Sequence, residues 1–422
     1  MKKLILLSLA YIGLQATTLS QLFDALKHNP TTTLDNLSVK NAQIGEDLVT
    51  ANLLPKIDLI GSYEHFNSPT NLLPVTPKES ATFKNPKIPQ PFGKDIARVG
   101  VTLSMPLFVK SLYTTREKLK YLKLSTQAKK KLNFIQKEAM IVGANSSWKY
   151  LVNLKKALQA KKKSILTSKT TISLGVKEGR FPESALYKID EAINQIEINE
   201  NNIDIKIEEA KNTIFELTGL ELKKPVSITK VANIKYNHFL ALEPLKQKQK
   251  ADKLGIKAAK EKLYPSFKIQ GKYIYSQTDA YNNDKEIDKD YSSIGVYMQA
   301  PIYDDTILTN IEKAKVDYQK SYAKTKKIEL SLRAKAKNLK ATLPLLEKSI
   351  SFAKKSVQNQ QKLLKIAKVA YKAQRMTQEE YLRYEDALAE AKANLYLLES
   401  KQLQTISNLA VLYGNNLKRI LK

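Results

Sequence analysis

Ala97-Arg98-Val99-Gly100-Val101-Thr102-Leu103-Ser104-Met105-Pro106-Leu107-Phe108 finds its counterpart 195 positions later in Ser292-Ser293-Ile294-Gly295-Val296-Tyr297-Met298-Gln299-Ala300-Pro301-Ile302-Tyr303. The same offset carries Arg180 onto Arg375, Asp190-Glu191-Ala192 onto Glu385-Asp386-Ala387, and Leu217-Thr218-Gly219 onto Leu412-Tyr413-Gly414. From Val99 to Gly219 the register holds without an insertion. Upstream, Leu54-Pro55 and Gly61 match Tyr264-Pro265 and Gly271 at an offset of 210, so the first copy carries 15 more residues. They fall in the Pro-, Asn- and Lys-rich stretch from Asn67 to Asp95, which reads as a longer loop. A unit written only twice points to a pseudo-symmetric fold and not to an open solenoid.

Each copy has the order helix, strand, loop, strand, very long helix, turn, long helix. The expected strands are 57–66, 97–108, 266–276 and 292–303. Their residues alternate with the period of an extended chain: Ile57, Leu59, Gly61 and Tyr63 share one face, while Asp58, Ser62 and Glu64 share the other. Phe267, Ile269, Gly271, Tyr273 and Tyr275 likewise oppose Lys268, Gln270 and Lys272. Strands of about ten residues with one apolar face and several Tyr fit a transmembrane β-barrel. A soluble sheet domain between helices fits the alternation equally well. If these strands lie in lipid, four cannot close a cylinder, since the smallest membrane barrels use about 8; several chains must pool them.

Residues 111–174 and 305–373 are nearly free of Gly and Pro and are expected as helices on the order of 100 Å long at about 1.5 Å per residue. Pro344 is expected to kink or interrupt the second. Each is followed, after a turn, by a helix with coiled-coil spacing, 183–218 and 377–412. Leu186, Ile189, Ile193, Ile196, Ile203 and Ile207 step by threes and fours, with Glu200 a charged exception; Tyr381, Tyr384, Leu388, Ala391, Leu395 and Leu398 hold the equivalent places. Antiparallel helix pairs packed knobs-into-holes follow, as they would in an ordinary coiled-coil protein. The copies are residues 17–219 and 239–422, joined by 220–238, in which short extended pieces are expected to form a small mixed patch. The fold class is therefore mainly α with a small β portion.

The 70 Lys and Arg exceed the 41 Asp and Glu by 29, which raises the question of nucleic acid. Only seven of the basic residues are Arg, and the Lys are spread along every helix among Glu and Asp, as on solvated faces. No nucleic-acid partner is expected. The chain has no Cys, so disulfides, thiolate metal sites and a lipid-modified N-terminal Cys are excluded. Residues 1–16, with basic Lys2-Lys3, an apolar run from Leu4 to Leu14 and Ala16 before Thr17, are expected to be a secretory signal peptide. No later segment reaches the ~20 consecutive apolar residues of a membrane helix, so any crossing of a bilayer must use strands.

Catalytic chemistry finds no foothold. His28, His65 and His238 are joined by no motif, and the acidic 277–291 stretch lacks the Gly and spacing of a calcium loop, so it reads as a solvated loop. No phosphate loop or nucleophile elbow is present. Trp148, inside a long helix, is expected to pack. Neither enzymatic activity, nor a metal, nor a cofactor is expected.

Leu19-Ser20-Gln21-Leu22-Phe23-Asp24-Ala25-Leu26-Lys27-His28-Asn29-Pro30 resembles the opening of the TolC-like outer-membrane efflux proteins, which also have two copies per chain, Pro-flanked strands and a Leu-x-Gly ending like Leu217-Thr218-Gly219. The resemblance covers nearly the whole chain after residue 16. It implies a homotrimer whose twelve strands form one barrel among outer-membrane lipid, above a periplasmic α-barrel of coiled-coil helices. It also implies two partners at the far tip, a periplasmic adaptor (membrane fusion protein) and an inner-membrane transporter. Substrates would pass unchanged through a water-filled duct.

The same resemblance implies an entrance at the two helix turns, narrowed by hydrogen bonds and charge pairs. Tyr371, Arg375, Glu380 and Arg383 fall on it in the second copy, with Gly179, Arg180 and Glu183 in the first. Departures from the family pattern are Gln374 in a Gly place, with Ala185 and Arg383 in commonly acidic ones. A periplasmic coiled-coil adaptor without a membrane barrel is the alternative, and the strands discriminate between the two.

Overall fold

The computed structural model describes residues 17–422; the expected signal peptide, residues 1–16, lies outside them. In chain order the elements are α1 (Leu19–His28), α2 (Pro30–Ala51), β1 (Lys56–Asn71), α3 (Pro77–Ser80), β2 (Phe92–Phe108), α4 (Lys110–Lys177) and α5 (Ser184–Thr218). The second copy supplies α6 (Glu243–Lys260), β3 (Ser266–Asp279), β4 (Glu286–Gln299), α7 (Asp305–Lys372), α8 (Gln378–Tyr413) and the short α9 (Leu417–Ile420). α4 and α7 are each 68 residues long. The duplication extends to backbone angles, because α5 and α8 end on left-handed glycines, Gly219 at φ 70° and Gly414 at φ 68°.

The chain divides into two compact units, each assembled from segments of both copies. One comprises the described residues up to Ser38, with Gln127–Pro244 and Lys326–Lys422. Its core gathers Leu22, Phe23, Trp148, Ile141, Ile214, Ile406 and Leu409, all essentially buried. The seam residues Ile193, Ile196, Ile203 and Ile207 are buried as their spacing requires. α1 starts on a reciprocal cap between Thr18 and Gln21, and Asn29 donates from Nδ2 to the carbonyl of Glu216 at 2.8 Å. In the joining segment Lys230 bridges Leu421, and Thr229 exchanges backbone bonds of 2.8 and 3.0 Å with Lys422. Among the described residues that is the one β-bridge the segment makes.

The other unit, Val39–Thr126 and Leu245–Thr325, holds a four-stranded antiparallel sheet in the order β1-β2-β3-β4. Val101 stands opposite Leu59 and Tyr273, and Gly271 opposite Leu103 and Ile294. One face is apolar and open: Leu59 and Ile294 are each 78% exposed, with Ile57, Val99 and Val296 beside them. The opposite face is more sheltered, with Ile96 and Ser276 fully buried. β1 and β4 are the outer strands and do not pair with each other.

Three expectations need correction. The fourth strand is not 292–303 but Glu286–Gln299, and it stops before Pro301, which has no N–H to give a ladder. The 277–291 stretch is not a loop throughout. The hairpin is tight, and Gln277, Thr278 and Asp279 pair with Asp288, Ile287 and Glu286, leaving only residues 280–285 as the turn. β1 and β2 similarly run beyond their expected ends, to Asn71 and from Phe92. Finally, of the two outcomes expected at Pro344, interruption does not occur, and α7 runs through it. It removes one bond to the Lys340 carbonyl, and the buried Leu343 and Leu346 beside it keep the helix packed.

Candidate channel entrance at the helix turns

Both helix turns belong to the first unit, and each forms by a left-handed residue at the same place in its copy. Gly179 has φ 71°; Gln374, 195 positions on, has φ 59° although it carries a side chain. After Gly179 the amides of Arg180 and Phe181 both donate to the Gly175 carbonyl, at 2.7 and 3.2 Å. After Gln374 the amide of Arg375 donates to the Ala370 carbonyl at 2.9 Å. Such bonds satisfy carbonyls that the ending helix leaves without partners.

The turns differ in how the next helix starts. Glu183 is the N-cap of α5 but makes no side-chain cap; its carboxylate instead accepts from the Tyr187 hydroxyl at 3.0 Å. That bond raises the Tyr187 pKa. α8 starts on a complete reciprocal cap. Thr377 Oγ1 accepts from the Glu380 amide at 3.2 Å, while Glu380 Oε2 accepts from the Thr377 amide and hydroxyl at 2.9 and 3.0 Å. The backbone and hydroxyl bonds from Thr377, with the charge of Arg383 behind them, hold the Glu380 carboxyl below the usual range.

The expected entrance residues therefore find their partners locally within one chain. Tyr371 stacks on Tyr381, with centroids 5.1 Å apart and planes 17° apart. Arg383 pairs with Glu379 at 2.9 Å, and Arg180 with Glu178 at 2.9 Å, both on exposed ground. The Arg375 side chain makes no ion pair among the described residues. Glu380, Tyr371 and the arginines are thus neighbours around one turn but not a bonded cluster.

Sequence reading missed Tyr381 as the partner of Tyr371. Its hydroxyl donates to Glu385 at 2.9 Å, which raises its pKa. Phe181, whose ring lies against Gly175, and Glu379 were also missed. A pair of tyrosines flanking the turn was the available signal. The end of α4 lies alongside: Lys163, Thr167, Thr170 and Thr171 line one groove with Thr377 and Glu379, and Lys163 approaches Glu385 at 3.6 Å. Burial raises the Asp386 pKa, opposed by Lys161 and reinforced by Glu390. A polar, charge-bearing rim with no reacting constellation results. Among the described residues no group of three or more His, Asp or Glu could hold a metal, and no helix is long and apolar enough to cross a membrane.

Residues 240–415 match the family model described as outer membrane efflux protein. No curated protein sequence matches significantly. In fold the chain is similar to the CmeC outer membrane channel of Campylobacter jejuni, at 16% identity and TM-score 0.72, over 94% of this chain and 85% of that one. It is similar to the outer membrane protein VceC of Vibrio cholerae, at 15% identity and TM-score 0.69, over 93% and 95%. The open state of the Neisseria gonorrhoeae MtrE outer membrane channel gives 15% identity and TM-score 0.65, over 95% and 90%. At such identities the likeness establishes the fold.

Proposed function

We propose that the chain, whose residues 240–415 match the outer membrane efflux protein model and whose fold is similar to that of outer-membrane channels, is a member of that family and that three copies of it form an export channel. Their twelve strands would close one barrel in the outer membrane, and their helices would form a periplasmic duct. A periplasmic adaptor and an inner-membrane transporter would dock at the helix turns. Cargo passes through chemically unchanged, so the protein is not an enzyme.

One observation carries this reading: the sheet is open, with β1 and β4 unpaired on their outer edges, and its apolar face is exposed. In lipid such edges would leave backbone groups without partners, at several kcal/mol each. In water the same face would be an aggregation hazard. Pairing β1 of one copy with β4 of the next satisfies the edges, and setting the closed barrel in lipid covers the apolar face.

At the entrance, Gly179, Arg180 and Glu183 with Tyr371, Arg375, Glu380 and Arg383 come from six turns in three copies. Any narrowing there is then made by contacts between chains together with those between the two turns of each chain.

The chain's lack of cysteine permits a clean test. Single cysteines placed along β1 and along β4, one of each per chain, should give disulfides that link chains in the outer-membrane fraction, with a trimer as the limit. A monomer recovered in the soluble periplasm would refute the channel and favour the coiled-coil adaptor.

A further inference from the structure

The sheltered face of the sheet bears an excess of positive charge that the cap, the turns and the apolar face do not explain. Pairing register places Lys56, Asp58 and Glu64 of β1, Arg98 of β2, Lys268 and Lys272 of β3, and Lys289 of β4 on that face. Glu64 is paired with Arg98, and Lys289 with Glu79. What remains is Lys56, Lys268 and Lys272 against Asp58 alone.

Lys268 and Lys272 have no carboxylate beside them. In the register Lys268 lies between Pro106 and Tyr297, and Lys272 between Thr102 and Ser293. Between the two stands Gln270, flanked by Ser104 and Gly295. Lys272 Nζ rests 5.3 Å from the Tyr291 ring centroid, which holds the ammonium on this face without neutralising it. Four strand positions separate the two lysines, about 13 Å at ~3.3 Å per residue.

We infer that the barrel lumen is an anion-preferring passage, with Lys268 and Lys272 as its specificity-determining residues, and that the cargo class is negatively charged. This rests on the trimeric channel reading, because only barrel closure turns the sheltered face into a lumen. With the apolar face towards lipid, three copies stack two rings of three lysines around the duct. Walls of low dielectric concentrate the field of such rings and raise the local concentration of anions. Bulk salt weakens the effect over a Debye length of about 10 Å at 0.1 M, so the preference should grow as salt is diluted.

The experiment is the reversal potential of the purified full-length protein in a planar bilayer under a potassium chloride gradient. Wild type should pass chloride over potassium. Lys268→Gln with Lys272→Gln, which keeps side-chain length, should lower the chloride-to-potassium permeability ratio several-fold, and Lys268→Glu with Lys272→Glu should bring it below one. Wild-type channels that prefer potassium overturn the inference whether or not any variant folds. So does an unchanged ratio in variants that conduct with wild-type single-channel size. A protein that never conducts sinks the channel reading itself, which the cysteine links between chains would reveal independently.

Discussion

Asn145 and Val226 exchange two hydrogen bonds: Asn145 Nδ2 donates to the Val226 carbonyl at 2.8 Å, and the Val226 amide donates to Asn145 Oδ1 at 2.7 Å. Asn145 is 1% exposed, so a side chain of α4 does for the segment joining the copies what a neighbouring strand would otherwise do. Asn145→Ala should leave a buried N–H and a buried C=O without partners. At roughly 1–3 kcal/mol for each group, the loss is about 2–6 kcal/mol. Limited proteolysis should then cut within residues 219–239, where wild type resists. Asn145→Asp should also be cut, because its carboxylate faces the Val226 carbonyl. Equal resistance in all three proteins would contradict the anchoring role.

The two helix turns give opposite predictions at equivalent positions. Gly179, at φ 71° with open space where a Cβ would stand, should lose about 1 kcal/mol or somewhat more on change to Ala, purely from the left-handed backbone. Gln374 already bears that strain at φ 59°. Gln374→Gly should therefore slow hydrogen exchange of the Arg375 amide, and Gly179→Ala should speed that of Arg180. The opposite pattern would show that the side chain of Gln374 contributes more than its backbone costs.

Much of this is legible in the sequence. The fixed offset between copies survives in the paired left-handed residues 179 and 374, and the alternation of Ile57, Leu59 and Tyr63 against Asp58 and Glu64 matches the two faces of the sheet. What escaped reading depends on partners remote in sequence or chemically ambiguous. β4 runs through Asp288 and Asp290 because Gln277 and Tyr275 supply its ladder, and no property of the acidic stretch announces that. The Tyr371–Tyr381 stack depends on the angle at which two helices leave their turn. Within the seam spacing, Tyr381 is simply one more core position.

Glu380 serves as the cap of α8, and it is also a charge at the proposed entrance. Two substitutions separate these roles. Glu380→Gln keeps a side-chain acceptor for the Thr377 amide but removes the charge, whereas Glu380→Ala removes both. Single-channel recordings should show altered ion preference in both variants if the charge lines the duct. A change confined to the Ala variant would assign the effect to the cap and withdraw Glu380 from the entrance. Because bonds from Thr377 lower the folded-state pKa, the cap's contribution is complete above the ordinary glutamate range. It is lost as pH falls through the depressed value.

The long loop of the first copy is tied back onto the sheet through Glu79, whose carboxylate meets Lys289 Nζ at 2.7 Å; the same ammonium donates to the Pro74 carbonyl at 2.7 Å. Partial burial pushes the Glu79 carboxyl up, but Lys289 together with the Thr76 amide and hydroxyl outweighs it, and the net shift is downward. A group whose pKa falls on folding stabilises fully above its unfolded value, and the contribution disappears as pH drops through the folded one. Protease cleavage within residues 72–91 should therefore be slow at neutral pH and accelerate only below the ordinary glutamate range. Glu79→Gln, which can still cap Thr76, should flatten that acid limb at a cost of no more than about 1 kcal/mol, since the pair is partly exposed. Lys289→Ala should raise cleavage at every pH, because it also strips the bond to Pro74. If the Lys289 variant is cut no faster than wild type, the loop is held by its other contacts. Those are the Phe83–Phe92–Tyr281 rings and the Asn282 bonds to Pro86 and Ile88.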